Sequence, residues 1–90
     1  TAYRESSIHI ACALRDLGPS SPATIRKLGT GPKTGSILLR NVYGWFEHPE
    51  KGVYALHDAG RKALKKYPDL VTHYTRELKQ SYRDGDSGSD

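Results

Sequence analysis

The sequence predicts a mainly α-helical domain with one β-hairpin, in the element order of a winged helix-turn-helix domain. The first observation is an aromatic block at residues 43–56, which holds four of the eight aromatic residues and the only strand-like pattern of the chain. The second is that apolar residues recur at helical spacings on both sides of this block. The third is the length of 90 residues, which suits one small domain with a modest core. We therefore expect a three-helix core, a wing and one or two C-terminal helices.

Two helices are expected in the N-terminal part of the chain. Residues 2–17 carry apolar side chains at helical spacing, and Gly18-Pro19 ends this first helix. Ser21 followed by Pro22 is an N-cap with proline at the first helical position, which begins a short second helix. Gly29 can take the left-handed conformation that commonly ends a helix. The second helix is therefore expected to be about two turns long.

The third helix is expected from Lys33 to about Tyr43, after a turn at residues 29–32. Gly35 lowers its helical propensity by roughly 1 kcal/mol relative to alanine. On a helical wheel, one side is predicted to face the core: Gly35, Leu38, Leu39 and Val42. The other side is predicted to face solvent: Lys33, Ser36, Ile37 and Arg40. Ile37 is apolar on this polar side, which either a shifted helix boundary or a contact with a thymine methyl group would explain.

A hairpin follows the third helix directly. Its strands, 45–48 and 53–56, can pair around residues 49–52, with Pro49 at the first turn position and Gly52 supplying a positive φ. A two-stranded hairpin is too small to be stable alone, so we expect it to lie against the helices. Its aromatic side chains are expected in that core contact, the alternative being stacking on unpaired bases: Trp45, Phe46 and Tyr54.

The C-terminal part is expected to hold two more helices and a tail. His57 or Asp58 can cap a fourth helix, which Pro68 ends, and Asp69 can cap a last helix that runs to about Gln80. The outer side of the fourth helix carries the densest positive stripe: Arg61, Lys62, Lys65 and Lys66. We interpret this stripe as a solvated face, with contact to DNA as the alternative. The domain is expected over residues 1–80, and residues 81–90 as a disordered acidic tail rich in Gly and Ser.

Composition excludes several classes of protein and favours a polyanionic partner. Residues 1–80 carry 13 Lys and Arg against 7 Asp and Glu, a net charge of +6. Cys12 is the lone cysteine, so no internal disulfide is possible and a reducing, cytoplasmic setting is expected. No apolar run approaches the length of a membrane span, and no signal peptide is visible, so we expect no membrane association.

No catalytic or cofactor site is expected in these residues. Residues 29–34 resemble a phosphate-binding loop, but Pro32 removes an N–H where a glycine should precede the lysine, and no strand leads into the loop. The four histidines have no pair at a helical spacing of three or four, which does not fit a zinc site: His9, His48, His57 and His73. We therefore expect no enzyme activity, no metal and no cofactor in this chain.

Duplex DNA is the partner that the helix-turn-helix order favours. The third helix would present short or forked polar side chains to base edges: Lys33, Thr34, Ser36, Arg40 and Asn41. Arg40 is the strongest candidate, because a guanidinium can bind guanine bidentately or clamp a phosphate. Asn41 has an alternative role as a cap at the helix end. Arg26 and Lys27 on the second helix and Lys51 at the wing tip would meet phosphates.

Four segments carry a family resemblance: Tyr3-Arg4, Tyr43-Gly44-Trp45-Phe46-Glu47, Gly52-Val53-Tyr54-Ala55-Leu56 and Gly60-Arg61-Lys62-Ala63-Leu64. They resemble the C-terminal region of a bacterial family of PD-(D/E)XK-type phosphodiesterases of unknown function, over about residues 1–67. The resemblance implies that a nuclease-like domain precedes this segment in the full protein and that the segment is an appended winged helix. None of the family's acidic and lysine catalytic residues lies in this chain, so no catalytic residue is carried over.

The expected function is therefore a DNA-binding winged-helix module, the targeting or regulatory part of a larger phosphodiesterase or nuclease. The alternative is a winged helix that serves as a protein-interaction or dimerisation surface without binding DNA. An exposed apolar patch would favour the alternative, with Ile37 or the last helix as its place: Leu70, Val71, Tyr74 and Leu78.

Overall fold

Five α-helices and a two-stranded antiparallel hairpin form the chain over residues 1–88, the part that the computed structural model describes; for residues 85–88 it describes the backbone alone. The elements in order are α1 (Ala2–Leu17), α2 (Pro22–Arg26), α3 (Thr34–Arg40), β1 (Phe46–Glu50), β2 (Val53–Leu56), α4 (Asp58–Leu64) and α5 (Pro68–Gly88). The predicted mainly helical fold with one hairpin between the third and fourth helices is confirmed.

Helix α1 is the centre of the molecule. All eight residues from Ser7 to Leu14 are buried, which no helix with one solvated side can achieve. Helices α4 and α5, strand β2 and the α2–α3 pair all pack against it. Thr1 caps the start of the helix, with its side chain accepting a hydrogen bond from Arg4 N, and Gly18 with φ 79° caps its end.

The short helix α2 begins as the sequence predicts and ends sooner than expected. Ser21 Oγ accepts a hydrogen bond from Thr24 N, and Pro22 occupies the first helical turn. The helix ends at Arg26, because Lys27 to Gly29 continue as turns in which Leu28 N and Gly29 N donate to carbonyls only three residues back. Gly29 then has the predicted positive φ, 89°.

The hairpin contains an irregularity that the sequence interpretation missed. Phe46 pairs with Leu56 and Glu47 with Ala55, whereas Glu50 pairs with Val53, so β1 has one more residue than β2 over this interval. Pro49 therefore lies within β1 at this bulge and not at the first turn position, which is a correction. The positive φ predicted at Gly52 is confirmed at 76°.

A backbone bridge attaches the hairpin to the segment between α1 and α2. Ser20 N donates to Tyr54 O and Tyr54 N donates to Ser20 O, both at 2.9 Å. The aromatic side chains predicted in the core are buried: Trp45, Phe46 and Tyr54. The hairpin is thus held against the helices by both backbone hydrogen bonds and apolar packing, as a small hairpin requires.

Helix α5 continues beyond the predicted end at Gln80 and runs to Gly88. Ser81 Oγ donates to Leu28 O at 3.2 Å, and Tyr82 packs against the core. The expectation that the chain is unfolded from residue 81 is therefore wrong for Ser81 and Tyr82. Their tertiary contacts extend the helix into a segment whose composition predicts no helix. Ser89 and Asp90 of the expected tail lie outside the described residues.

Candidate nucleic-acid interface

Helix α3 presents a different face to the core from the one that the helical wheel predicts. Thr34, Ile37 and Leu38 are buried, while Leu39 is 73% exposed and Val42 is 59% exposed. The predicted inward positions of Leu39 and Val42 and the outward position of Ile37 are therefore wrong. With Asn41, the buried residues follow the helical spacing i, i+3, i+4 and i+7. This signal is present in the sequence, but two of the four positions hold polar residues.

Thr34 belongs to the fold and not to the interface. It is fully buried, and its hydroxyl donates to Gly31 O at 2.7 Å and also contacts the hydroxyl of Thr30. Thr30 in turn donates to Ile25 O at 3.2 Å. These hydroxyls therefore bond to carbonyls at the end of α2 and in the turn to α3, which also accept hydrogen bonds from Leu28 N and Thr34 N. The prediction that Thr34 faces bases is corrected by this burial.

Asn41 likewise has a structural role. It ends α3 in the left-handed conformation, with φ 46° and ψ 49°. Its Nδ2 donates to Phe46 O at 2.9 Å, and its Oδ1 accepts from Phe46 N at 3.1 Å. One side chain therefore satisfies both backbone groups of the first residue of β1. The capping role is confirmed, and the amide of Asn41 is already engaged and not free to bind a base.

The other predicted contact residues on the two helices are exposed: Arg26, Lys27, Lys33, Ser36 and Arg40. We call them the α2–α3 basic surface. The ion pairs among the described residues join Arg15 to Asp16, Arg61 to Asp58 and His73 to Glu77, and none of them involves this surface. The sequence contains no Asp or Glu between residues 17 and 46. The positive charge of the surface is therefore not offset by acidic neighbours in its own segment.

Gly35 lies where α3 passes beside α2. A Cβ built at Gly35 would lie 3.5 Å from Arg26 Nη1 and 3.9 Å from Pro22 Cβ. The guanidinium of Arg26 therefore lies beside the first turn of α3.

The hairpin carries less net positive charge than helices α2 and α3. Lys51 is exposed in the turn between β1 and β2, as expected, but exposed Glu47 and Glu50 are on the adjacent strand. Opposite charges this close in sequence reduce the attraction of the hairpin turn for a phosphate. The hairpin therefore contributes to the fold mainly through the packing of its aromatic residues.

The positive stripe of α4 is separate from the α2–α3 basic surface. Ala2, Tyr3 and Ser6, near the start of α1, line a small cleft together with Lys33 and Ile37 of the α3 region. Arg15, near the end of α1, lines a groove with Arg61 and Lys65 of α4. Because Ser6 and Arg15 are about 14 Å apart along the helix axis, the two positive regions lie toward opposite ends of α1.

The described part of the chain holds neither a metal-binding cluster nor a membrane-spanning helix. No three His, Cys, Asp or Glu residues there lie close enough together to hold a metal ion. Over the same residues, no helix has the length and apolarity needed to cross a membrane. Cys12 is buried and unpaired, and burial raises the pKa of its thiol, which keeps it protonated and unreactive.

Comparison with known proteins identifies a family. The family model described as "Putative PD-(D/E)XK phosphodiesterase (DUF2161)" matches residues 1–63 of the 90-residue chain. No curated protein and no solved structure gives a significant match. The matched residues extend from α1 through the hairpin into α4 and include the whole α2–α3 basic surface. The chain therefore belongs to this family.

Proposed function

We propose that this chain is a winged helix-turn-helix module that binds duplex DNA and serves as the C-terminal targeting or regulatory part of a larger phosphodiesterase. The element order supports the winged-helix assignment, since a helix–turn–helix pair is followed at once by a hairpin. The bridge between Ser20 and Tyr54 adds a third strand-like segment that holds the hairpin beside these helices. The module would position the protein on DNA, while the chemistry would belong to the nuclease-like domain.

One observation carries the proposal: the exposed cations of the α2–α3 basic surface lie in a segment without acidic residues. Arg40 and Lys33 would enter the major groove with Ser36, and Arg26 and Lys27 would meet the flanking phosphates. Thr34 and Asn41 are left out of this set because both side chains are engaged within the fold. Each phosphate that a cation neutralises releases counterions, and this release favours binding. A surface of exposed cations is therefore what binding to a phosphate backbone requires.

The test is a titration of a fluorescein-labelled mixed-sequence duplex, followed by anisotropy at several salt concentrations. We expect the double variant Lys33→Ala/Arg40→Ala to bind more weakly and to lower the salt slope by about 0.9 for each phosphate that the variant no longer neutralises. The matched control is Lys62→Ala/Lys66→Ala, which removes the same charge from α4 and the turn after it. Failure of the wild-type chain to bind at low salt, or equal weakening by the control, would rule the proposal out.

A second candidate function, a protein-contact surface, is favoured by the exposed apolar side chains at the end of α3. Leu39 and Val42 are largely exposed, and Tyr43 next to them is 41% exposed. The apolar residues expected to form such a patch do not do so, because Ile37 and Leu78 are buried and the other apolar residues of α5 pack against the core. A symmetric dimer through α3 would bring Lys33 and Arg40 of two copies together, so a different protein or domain is the better partner.

Leu39→Ser/Val42→Ser separates the two functions. If these side chains contact another protein and not DNA, the variant should keep the wild-type affinity for the duplex. If they contact thymine methyl groups as part of the DNA interface, the affinity for the duplex should fall. Thermal unfolding of the variant provides the control for folding, since exposed positions seldom affect stability by more than about 0.5 kcal/mol.

A further inference from the structure

A second concave surface lies between the end of α1, α4 and the start of α5. It is an open groove of about 350 Å³, lined by Arg15, Arg61, Leu64, Lys65 and Val71. We call it the α1–α4–α5 groove. Its lining combines two apolar side chains with three cations, whose long stems also contribute apolar surface. The groove therefore offers apolar contact at its base and positive charge at its edge.

Hydrogen bonds fix the position of one of these cations. Arg15 Nε donates to Asp16 Oδ1 and Arg15 Nη2 donates to Thr75 Oγ1, each at 3.0 Å. The second bond joins α1 to α5 across 60 residues of sequence, so this edge of the groove is held in place. A cation held in position loses little further side-chain entropy when a ligand binds.

The other edge keeps free positive charge. Arg61 pairs with Asp58 at 3.0 Å, but these side chains are 59% and 85% exposed, so solvent screens this interaction. Lys65 forms no ion pair with any described residue. Lys62 of α4 and Lys66 in the turn after it add charge nearby. Positive charge on α4 thus exceeds the single acidic residue of that helix.

We propose that the α1–α4–α5 groove binds an acidic peptide segment of a partner protein, with an apolar side chain against Leu64 and Val71 and flanking carboxylates beside Arg61 and Lys65. Charge complementarity selects the acidic peptide, and the apolar base selects a peptide over a nucleic-acid backbone, which has no apolar group to place there. The chain's own C-terminal end is a poor occupant, because α5 leads away from the groove for about 25 Å between Val71 and Gly88. The site is independent of DNA binding at α3.

The probe is a fluorescein-labelled peptide in which two leucines are flanked by glutamates, titrated into the 90-residue chain. The test variant is Lys65→Glu, and the matched control is Lys66→Glu, which makes the same charge change at the next residue of the turn after α4, outside the groove lining. We expect Lys65→Glu to weaken binding about tenfold and Lys66→Glu to change it far less. A peptide with serine in place of leucine should bind much more weakly.

Three outcomes would overturn this assignment. Equal weakening by Lys65→Glu and Lys66→Glu would show general attraction of an acidic peptide to α4. Undiminished binding of the serine-containing peptide would show that the apolar base plays no part. Displacement of the bound peptide by duplex DNA, with the displacement abolished by Lys65→Glu, would make the groove a DNA contact instead. If the Lys33→Ala/Arg40→Ala variant loses duplex binding but still binds the peptide, the groove is a site separate from the DNA-binding surface of α3.

Discussion

His9 is the residue whose chemistry the fold changes most. It lies in the middle of the buried stretch of α1, is 6% exposed, and its Nε2 has no hydrogen-bond partner in the described structure. Its ring stacks on Tyr74 of α5 with 4.5 Å between ring centroids. Burial lowers the pKa of the imidazole, Glu77 opposes this, and His73 adds to it. The neutral form of His9 is therefore the form that packs between α1 and α5.

This burial makes the stability of the domain depend on pH. Because the folded-state pKa of His9 is below that of the unfolded chain, the unfolded chain binds the proton more readily. The free energy of unfolding should therefore be highest above the ordinary histidine pKa of about 6.5 and should fall as the pH drops from there through the lowered value. Urea unfolding at a series of pH values measures this dependence. His9→Phe keeps a ring against Tyr74 and should reduce the slope; an unchanged slope would contradict the assignment.

Asn41 shows how one residue can serve two elements. Its left-handed backbone ends α3, a conformation that asparagine tolerates better than most residues. Its amide then bonds to both backbone groups of Phe46 and so sets the start of β1. The sequence supports both the base-contact and the capping interpretation, because both need a short amide side chain. Only the position of β1 decides between them.

At the scale of the element, two helical glycines have opposite surroundings. Gly35 of α3 faces ordinary van der Waals contacts. A Cβ at Gly60 of α4 would lie 2.5 Å from both Leu56 Cδ1 and Trp45 O. That carbonyl already accepts a hydrogen bond from His57 N at 2.8 Å and cannot move without disturbing the start of α4. Gly60 therefore allows α4 to pack directly on the hairpin.

The pair gives a matched prediction. Gly60→Ala should lower the free energy of unfolding by about 1–3 kcal/mol, because the added methyl group overpacks the contact with Trp45. Gly35→Ala should leave it unchanged or raise it by up to about 1 kcal/mol, because alanine favours the helix and meets no close contact. Chemical unfolding of the two variants beside the wild-type chain makes the comparison. Similar effects of the two substitutions would contradict the packing described for α4.

For the molecule as a whole, α5 completes a core that the family match does not cover. The match ends at residue 63, yet Leu78 of α5 is fully buried in the core cluster, to which α1 contributes more residues than any other element. Partly buried Leu70, Val71 and Tyr74 extend the same contact along α5. Helix α1 would have one uncovered side without them. Residues beyond the matched region are thus part of the same folding unit.

Removal of the Leu78 side chain tests this. Leu78→Ala should lower the free energy of unfolding by about 2–5 kcal/mol, as expected for a buried leucine. That is a large share of the stability of a small domain, which is commonly about 5–15 kcal/mol. Lys79→Ala is the neighbouring exposed control and should change the stability by less than about 0.5 kcal/mol. A small effect of Leu78→Ala would mean that α5 is not part of the cooperative core.

The sequence alone determines the order and kind of the elements, because helix caps, turn glycines and apolar spacing are local signals. The helix start at Ser21-Pro22 and the positive φ of Gly29 and Gly52 are confirmed. The aromatic residues of the hairpin lie in the core, as predicted. It also determines where positive charge lies along the chain. The tertiary structure decided which side of α3 is buried, because two of the four inward positions hold polar residues whose partners, Gly31 and Phe46, belong to other segments. It alone also revealed the α1–α4–α5 groove, since a groove between three helices has no local pattern in the sequence.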